Sequence, residues 1–106
     1  MRVKFFKLCA SGNDFVLVDN RRSTIQDVSS FAKEVCPRQN AVGADGVLLV
    51  ENSKTADIKM RIINSDGTEP EMCGNGARCF ALFAKEKLEF PKAFRIETVA
   101  GEINAQ

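Results

Sequence analysis

The residue most suggestive of chemistry in this sequence is Cys73, which directly precedes residues 74–76 (Gly-Asn-Gly) and an apolar, helix-forming stretch. At a helix N-terminus, unpaired backbone N–H groups and the helix dipole favour a thiolate and can lower a thiol pKa from ~8.5 to ~3.5–7.5. Glycines without a Cβ atom also let the backbone approach a carboxylate and donate N–H groups to it. From these residues alone two interpretations stay open: a general base beside an anion site, or a small buried cysteine between turn-forming glycines.

Two asparagines and an acidic segment are the other polar candidates. Asn13 and Asn64 both stand in clusters of turn-forming residues, where asparagine is common because it makes local hydrogen bonds. Asp66, Glu69 and Glu71 could form a carboxylate pair for acid–base chemistry or a cation site. A solvated loop is the preferred interpretation, since acidic residues ahead of a helix also suit its dipole.

The absence of histidine restricts the chemistry further. The 106 residues contain no histidine and four cysteines without C-x-x-C spacing, so Ser–His pairs, Cys–His pairs and histidine metal sites within this chain are excluded. We therefore expect no metal and no cofactor. Cys79 follows Cys73 by six residues, ~9 Å of helical rise, so the two thiols cannot flank one carbon atom. Cys36 and Cys79 are expected to be packing residues.

Length and composition favour one soluble globular domain spanning residues 1–106. The sequence is 44% hydrophobic and 27% charged, with a net charge of +1 and no charge blocks, which argues against nucleic-acid or membrane partners. It has no signal-peptide run and no stretch of ~18 apolar residues, so a cytoplasmic location is predicted. Because the last predicted strand runs almost to the final residue, we expect that the chain continues in its parent protein.

The hydrophobic patterns predict an α+β fold of mixed order. Asp27 is a candidate N-cap for the first helix, and Pro37 ends that helix. Residues 79–84 contain no polar side chain, so the second helix should be enclosed on all sides by a curved sheet. The predicted strands span residues 2–8, 14–18, 47–50, 58–63, 94–98 and 102–105, and the predicted helices span residues 27–36 and 77–88.

Three motifs give the sequence a specific resemblance. Residues 72–79 (Met-Cys-Gly-Asn-Gly-Ala-Arg-Cys), preceded by residues 64–69 (Asn-Ser-Asp-Gly-Thr-Glu), closely resemble the catalytic segment of diaminopimelate epimerases. Residues 7–16, with Gly-Asn-Asp-Phe-Val at their end, and residues 43–46 (Gly-Ala-Asp-Gly) match in the family's order. The resemblance covers essentially the whole chain. Family members are roughly double this length and have two similar domains, each of which contributes one catalytic cysteine.

The resemblance implies a fold, an activity and roles for five residues. The fold would be one half of a duplicated epimerase, with a barrel-like, mostly antiparallel sheet around a buried central helix. The reaction would be cofactor-independent, two-cysteine epimerisation of LL-diaminopimelate to meso-diaminopimelate in lysine and peptidoglycan synthesis. By resemblance, Cys73 is the acid or base of this half, Gly74 and Asn75 bind the substrate's carboxylate end, and Asn13 and Asn64 bind substrate through their side-chain amides.

Departures from the family pattern and the chain length leave alternatives. Residues 9–11 replace a stretch that often contains histidine or glycine, and Gly46 stands where some members have a glutamine, so neither Cys9 nor Gly46 is assigned a role. The chain could belong to a related racemase of proline, hydroxyproline or histidine, or be a non-catalytic isolated half-domain. Its expected partners are a small amino-acid substrate and a missing C-terminal half with the second cysteine. A homodimer is the other possibility, and the lone chain is expected to be inactive.

Overall fold

The structure, a computed structural model, describes residues 4–10, 12–39, 41–70, 74–88 and 93–105. Within these residues eight elements follow one another, and they confirm the predicted α+β class and the predicted order of strands and helices. They are β1 (Phe6–Ala10), β2 (Asn13–Asp19), α1 (Val28–Val35), β3 (Gly46–Glu51), β4 (Ile58–Asn64), α2 (Gly74–Lys87), β5 (Phe94–Thr98) and β6 (Gly101–Ala105).

All six strands form one mixed sheet in which they lie side by side in sequence order. The pairs β1–β2, β3–β4 and β5–β6 are antiparallel, whereas β2–β3 and β4–β5 are parallel. A parallel pair needs a long crossover connection. Here α1 makes the crossover from β2 to β3, and α2 makes the crossover from β4 to β5.

Helix α1 covers one face of the sheet. The Asp27 side chain accepts a hydrogen bond from the backbone N–H of Ser30 at 3.1 Å, which confirms the predicted N-cap. The apolar side of the helix, centred on Ala32, packs against alternate residues of the central strands, such as Val16 and Val47. Cys36 is 2% exposed in this layer and is a packing residue, as predicted.

Helix α2 covers the opposite face, but the sheet does not enclose it. Phe80 and Ala84 are completely buried against the strands, whereas Leu82 on the outer side of the helix is 57% exposed. Within the described residues the sheet is open, with β1 and β6 at its two edges. The predicted enclosure of this helix and the barrel-like closure of the sheet are therefore not confirmed, because each helix packs with one side on its own face of an open sheet. No helix in the described part of the chain is long and apolar enough to cross a membrane.

Candidate active site

The strand register brings two of the predicted binding residues to one end of the sheet. β2 begins at Asn13, and Phe15 lies opposite Gly46 in the parallel pair β2–β3. Gly46 in turn lies opposite Asn64, the last residue of β4. Asn13 and Asn64 thus lie on the two strands that flank β3. These two strands are two inter-strand spacings, or roughly 10 Å, apart.

The side-chain alternation of the strands places both asparagines on the face covered by α2. Phe15 and Ile62 pack in the cluster of buried residues around α2. Asn13 precedes Phe15 by two residues and Asn64 follows Ile62 by two. Residues two apart in a strand point to the same face. The two side-chain amides therefore share both an end and a face of the sheet.

The N-terminus of α2 lies over this same part of the sheet. Gly76 is buried in the first turn of the helix. A Cβ atom at this position would lie 3.2 Å from Leu48 Cδ2, 3.5 Å from Ile62 Cδ1 and 3.6 Å from Phe15 Cζ, which are side chains of β3, β4 and β2. The small residue lets the helix start close to the middle strand, between the two asparagines.

Two predicted site residues belong to this helix start. Gly74 and Asn75 are the first residues of the 14-residue helix α2, so their backbone N–H groups have no partner within the helix and are suited to a carboxylate. Cys73 and the position of the Asn75 side chain lie outside the described residues. Cys73 is nevertheless bonded directly to Gly74, the residue at which the helix begins.

Asn13 is joined to the loop before β3 through Asp45. The Asn13 Nδ2 group donates to Asp45 Oδ2 at 3.4 Å, and the backbone N–H of Asp14 donates to the same oxygen at 2.9 Å. In return, the backbone N–H of Asp45 donates to the Asp14 backbone carbonyl and to Asp14 Oδ1, each at 3.0 Å. This reciprocal pairing fixes the start of β2, and with it Asn13, against the start of β3.

Two basic residues complete this network. Arg38 binds the Asp14 carboxylate through both terminal nitrogens, at 3.0 and 2.8 Å, and contacts Asp45 Oδ1 at 3.2 Å. Lys7 lies 3.0 Å from Asp14 Oδ2 and donates to the carbonyl of Gly43. The hydrogen bond from Arg38, followed by the one from Lys7, holds the pKa of Asp14 well below its usual range despite the opposing effect of desolvation. The Asp14 carboxylate is therefore ionised at neutral pH.

Asn64 closes a tight turn while its side chain stays exposed at the site. Its backbone N–H donates to the Thr68 carbonyl at 2.7 Å, and its own carbonyl accepts from Gly67 N–H at 2.9 Å. Its side-chain Nδ2 donates to Thr68 Oγ1 at 3.0 Å. Asn64 therefore fills the structural role expected of a turn residue, and its side chain is exposed at the same end of the sheet as Asn13.

The remaining candidates are placed elsewhere. The Glu69 carboxylate pairs with Arg61, with donor–acceptor distances of 3.0 and 2.8 Å, and Glu71 lies outside the described residues. In the parts of the chain that the structure covers, no group of three or more His, Cys, Asp or Glu residues could hold a metal ion.

Burial, followed by the nearby Asp14 carboxylate, raises the pKa of the Cys36 thiol. Cys79 is 8% exposed and packs in the core under α2, as predicted.

Sequence reasoning missed Asp45 and Thr68, the residues that hold the two asparagines. Asp45 belongs to the motif at residues 43–46, but its partners Asn13 and Asp14 are more than 30 residues away, and no local pattern indicates that contact. The contact of Thr68 with Asn64, in contrast, could have been predicted from the local sequence. It follows an Asn-Ser-Asp-Gly cluster, in which a hydroxyl two to four residues after Asn or Asp commonly completes a turn.

Comparison with known proteins identifies the family. The family model described as diaminopimelate epimerase matches residues 5–106, nearly the whole chain. The chain belongs to the diaminopimelate epimerase family. It is 45% identical over 108 residues to the diaminopimelate epimerase of Carboxydothermus hydrogenoformans, covering 98% of this chain and 39% of that protein. It is 50% identical over 103 residues to the chloroplastic diaminopimelate epimerase of Oryza sativa subsp. japonica, covering 93% of this chain and 29% of that protein.

Two solved structures have a fold similar to that of this chain. A Bacillus anthracis phenazine biosynthesis protein of the PhzF family is 25% identical with a TM-score of 0.68, covering 96% of this chain and 33% of that one. A Clostridium difficile phenazine biosynthesis PhzC/PhzF protein is 14% identical with a TM-score of 0.63, covering 96% and 38%, and shows the fold alone. This chain spans less than half the length of the curated relatives and solved structures cited here.

Proposed function

We propose that this chain supplies one half of the active site of a cofactor-independent epimerase that converts LL-diaminopimelate to meso-diaminopimelate. The observation that carries the proposal is the convergence of Asn13, Asn64 and the N-terminus of α2 at one end and one face of the sheet. Two amide side chains and the backbone N–H groups of a helix N-terminus suit a substrate that carries carboxylate and ammonium groups. Membership of the diaminopimelate epimerase family supports this substrate. A cytoplasmic location is part of the same proposal.

In the proposed reaction a proton leaves one face of the α-carbon and another arrives on the opposite face. The thiolate of one cysteine, either Cys73 or the second cysteine, takes the proton from the C–H bond, whose electron pair is delocalised into the α-carboxylate. A thiol on the other side then donates its proton to the carbon, so that the configuration inverts with no net change in atoms or electrons. Backbone N–H groups at Gly74 and Asn75 hold the carboxylate and stabilise the charge that develops on it.

The second thiol is proposed to come from the missing C-terminal half. Cys36 and Cys79 are buried in the two core layers on opposite faces of the sheet. Cys9 follows Leu8, which packs on the α2 side, so strand alternation places Cys9 on the other face. We therefore propose that none of these three cysteines is the second base.

The decisive measurement is stereoinversion of diaminopimelate in deuterated water, with deuterium incorporation at the α-carbon as the readout. We expect no useful inversion by the purified 106-residue chain, because one thiol cannot serve both faces. Adding the C-terminal half of the Carboxydothermus hydrogenoformans relative should restore inversion. Cys73→Ala should then lower the rate by about 10²–10⁴-fold, the usual contribution of a positioned acid or base.

Each other outcome counts against a stated part of the proposal. Robust turnover by the lone chain, free of host enzyme, would mean that the second base lies in this chain or comes from a homodimer. Inversion of proline, hydroxyproline or histidine in place of diaminopimelate would favour a related racemase. If the matched half restores no reaction with any of these substrates, the chain is a non-catalytic half-domain.

A further inference from the structure

Three consecutive hydrogen-bonding groups set the direction in which the Asn64 amide points. The Asn64 Nδ2 group donates to Thr68 Oγ1 at 3.0 Å, and the Thr68 hydroxyl donates to Asp66 Oδ1 at 2.6 Å. The backbone N–H of Thr68 donates to the same Asp66 oxygen at 3.0 Å. The hydrogen bonds therefore run in one direction, from the Asn64 amide to the Thr68 hydroxyl and from that hydroxyl to the Asp66 carboxylate.

The ionised carboxylate makes this direction obligatory. Hydrogen bonds from the Thr68 hydroxyl and then from its backbone N–H lower the pKa of Asp66, so the group is ionised at neutral pH and can only accept. A threonine hydroxyl has one hydrogen, and Asp66 receives it. The Thr68 oxygen can then only accept from Asn64, so the NH₂ group of Asn64 must face Thr68 and its carbonyl oxygen must point away.

We propose that Thr68 is a positioning residue that fixes the Asn64 amide so that its carbonyl oxygen accepts a hydrogen bond from the substrate's ammonium group remote from the inverted carbon. This inference rests on the proposed function and names what one residue of that site recognises. An amide free to rotate would accept from an ammonium or donate to a carboxylate with equal ease. The amide held by Thr68 presents its carbonyl oxygen, which can accept from an ammonium but not from a carboxylate.

The layout of the site supports contact between Asn64 and the ammonium group that is remote from the inverted carbon. The start of α2, which is proposed to hold the reacting carboxylate, lies closest to Leu48 of the central strand β3. Asn64 lies at the end of the neighbouring strand β4 and is exposed. A substrate whose α-carboxylate is held over the middle strand extends over a flanking strand, where Asn64 can meet its second amino group.

The orientation of the amide can be measured on the 106-residue chain without substrate. Isotope-edited NMR should show contacts from the Asn64 Nδ2 protons to the Thr68 side chain in the wild type and in Thr68→Ser, which keeps the hydroxyl. Thr68→Val has the same shape but can neither accept nor donate, and should lose these contacts. Because Thr68 is exposed, backbone shifts away from residues 64–68 should stay unchanged. Nδ2 contacts that persist in Thr68→Val would overturn the assignment.

Selectivity can be measured in the enzyme reconstituted with the C-terminal half, using diaminopimelate and 2-aminopimelate, which lacks the remote amino group. A hydrogen bond to a charged group contributes about tenfold or more to binding, so Thr68→Val should lower the preference for diaminopimelate by about that factor, mainly through KM. Thr68→Ser should keep the preference. An unchanged preference in an active Thr68→Val enzyme overturns this inference and leaves the proposed function standing. If the wild type inverts neither compound, the proposed function fails, and the NMR result still decides the amide orientation.

Discussion

At the scale of single residues, the cysteines of this chain have contrasting environments. Cys36 is 2% exposed, and burial beside the Asp14 and Asp45 carboxylates raises the pKa of its thiol. Cys79 is 8% exposed under α2. Cys73, in contrast, is bonded to the first residue of that helix, where backbone N–H groups favour a thiolate. Reactivity should therefore differ among thiols of the same chain.

We predict that Cys73 is alkylated faster than Cys36 or Cys79 in the folded protein near neutral pH, because the thiolate is the reactive form. Timed iodoacetamide labelling followed by mass mapping measures the order. Unfolding in urea should bring the rates together, and Cys73→Ala should remove the fast phase. Faster labelling of Cys36 or Cys79 would show that the helix start does not activate Cys73.

Sequence reasoning proposed two asparagines for the candidate site but did not predict the groups that hold them. Asn13 and Asn64 were identified by family resemblance, and both lie at the same end of the sheet. The side chain of Asn13 is held by Asp45, a contact that depends on the pairing of β2 with β3 across the α1 crossover. Local patterns predict strands and turns, but they do not determine which strands pair, so such contacts could not be inferred.

At the scale of the elements, the turn after β4 is packed against α1. Gly67 has φ +89°, a left-handed conformation that suits glycine, and a Cβ atom there would overlap Ser29 Oγ and lie 2.7 Å from Lys33 Cε. Gly12 also has φ +89° but has nothing within 4 Å of such a Cβ. The two glycines have the same backbone conformation in very different surroundings.

We predict that Gly67→Ala lowers the free energy of unfolding more than Gly12→Ala does. The left-handed conformation alone costs a residue with a Cβ about 1–2 kcal/mol, and both variants carry this cost. Only Gly67→Ala must also move the turn away from α1. Urea unfolding of both variants measures the difference. Equal losses would mean that the turn moves away from Ser29 and Lys33 at no cost.

The elements themselves were largely predictable, and their arrangement was not. Asp27 and Pro37 bound α1 as expected, since capping and proline act locally. The enclosure of α2 is not confirmed, because the all-apolar residues 79–84 include Leu82, which is 57% exposed. Whether an apolar residue finds a partner depends on how far the sheet curves, and hydrophobic periodicity holds no information about curvature.

At the scale of the whole molecule, acidic groups paired in the folded state make stability depend on pH. The pKa is lowered for Asp19 by a hydrogen bond from Arg21, for Glu69 by one from Arg61, and for Asp14 by one from Arg38. The ordinary pKa values of these carboxylates are 3.8 for Asp and 4.5 for Glu. Above those values the pairing contributes fully to stability. Below them the unfolded chain binds more protons than the folded protein, so stability falls.

We predict that the urea midpoint is nearly constant between pH 7 and about pH 5 and falls steadily as the pH is lowered towards 3. Asp14→Asn should be less stable than the wild type at pH 7, and its stability should change less on acidification, because one of the shifted groups is gone. Unfolding curves followed by circular dichroism at several pH values test both points. A midpoint that rises below pH 4 would contradict the assigned pairings.

The order of the strands has a consequence for how this chain acquires its structure. In the part of the chain that the structure describes, each strand from β2 to β6 pairs with the strand before it in sequence, and none is inserted between two that come earlier. Each new strand can therefore add to the free edge of a sheet that already exists, with α1 or α2 covering a face as the crossover is made. Pairing between sequence neighbours keeps loop-closure entropy low and favours rapid folding. We expect the sheet to grow in one direction, strand by strand, as the chain leaves the ribosome.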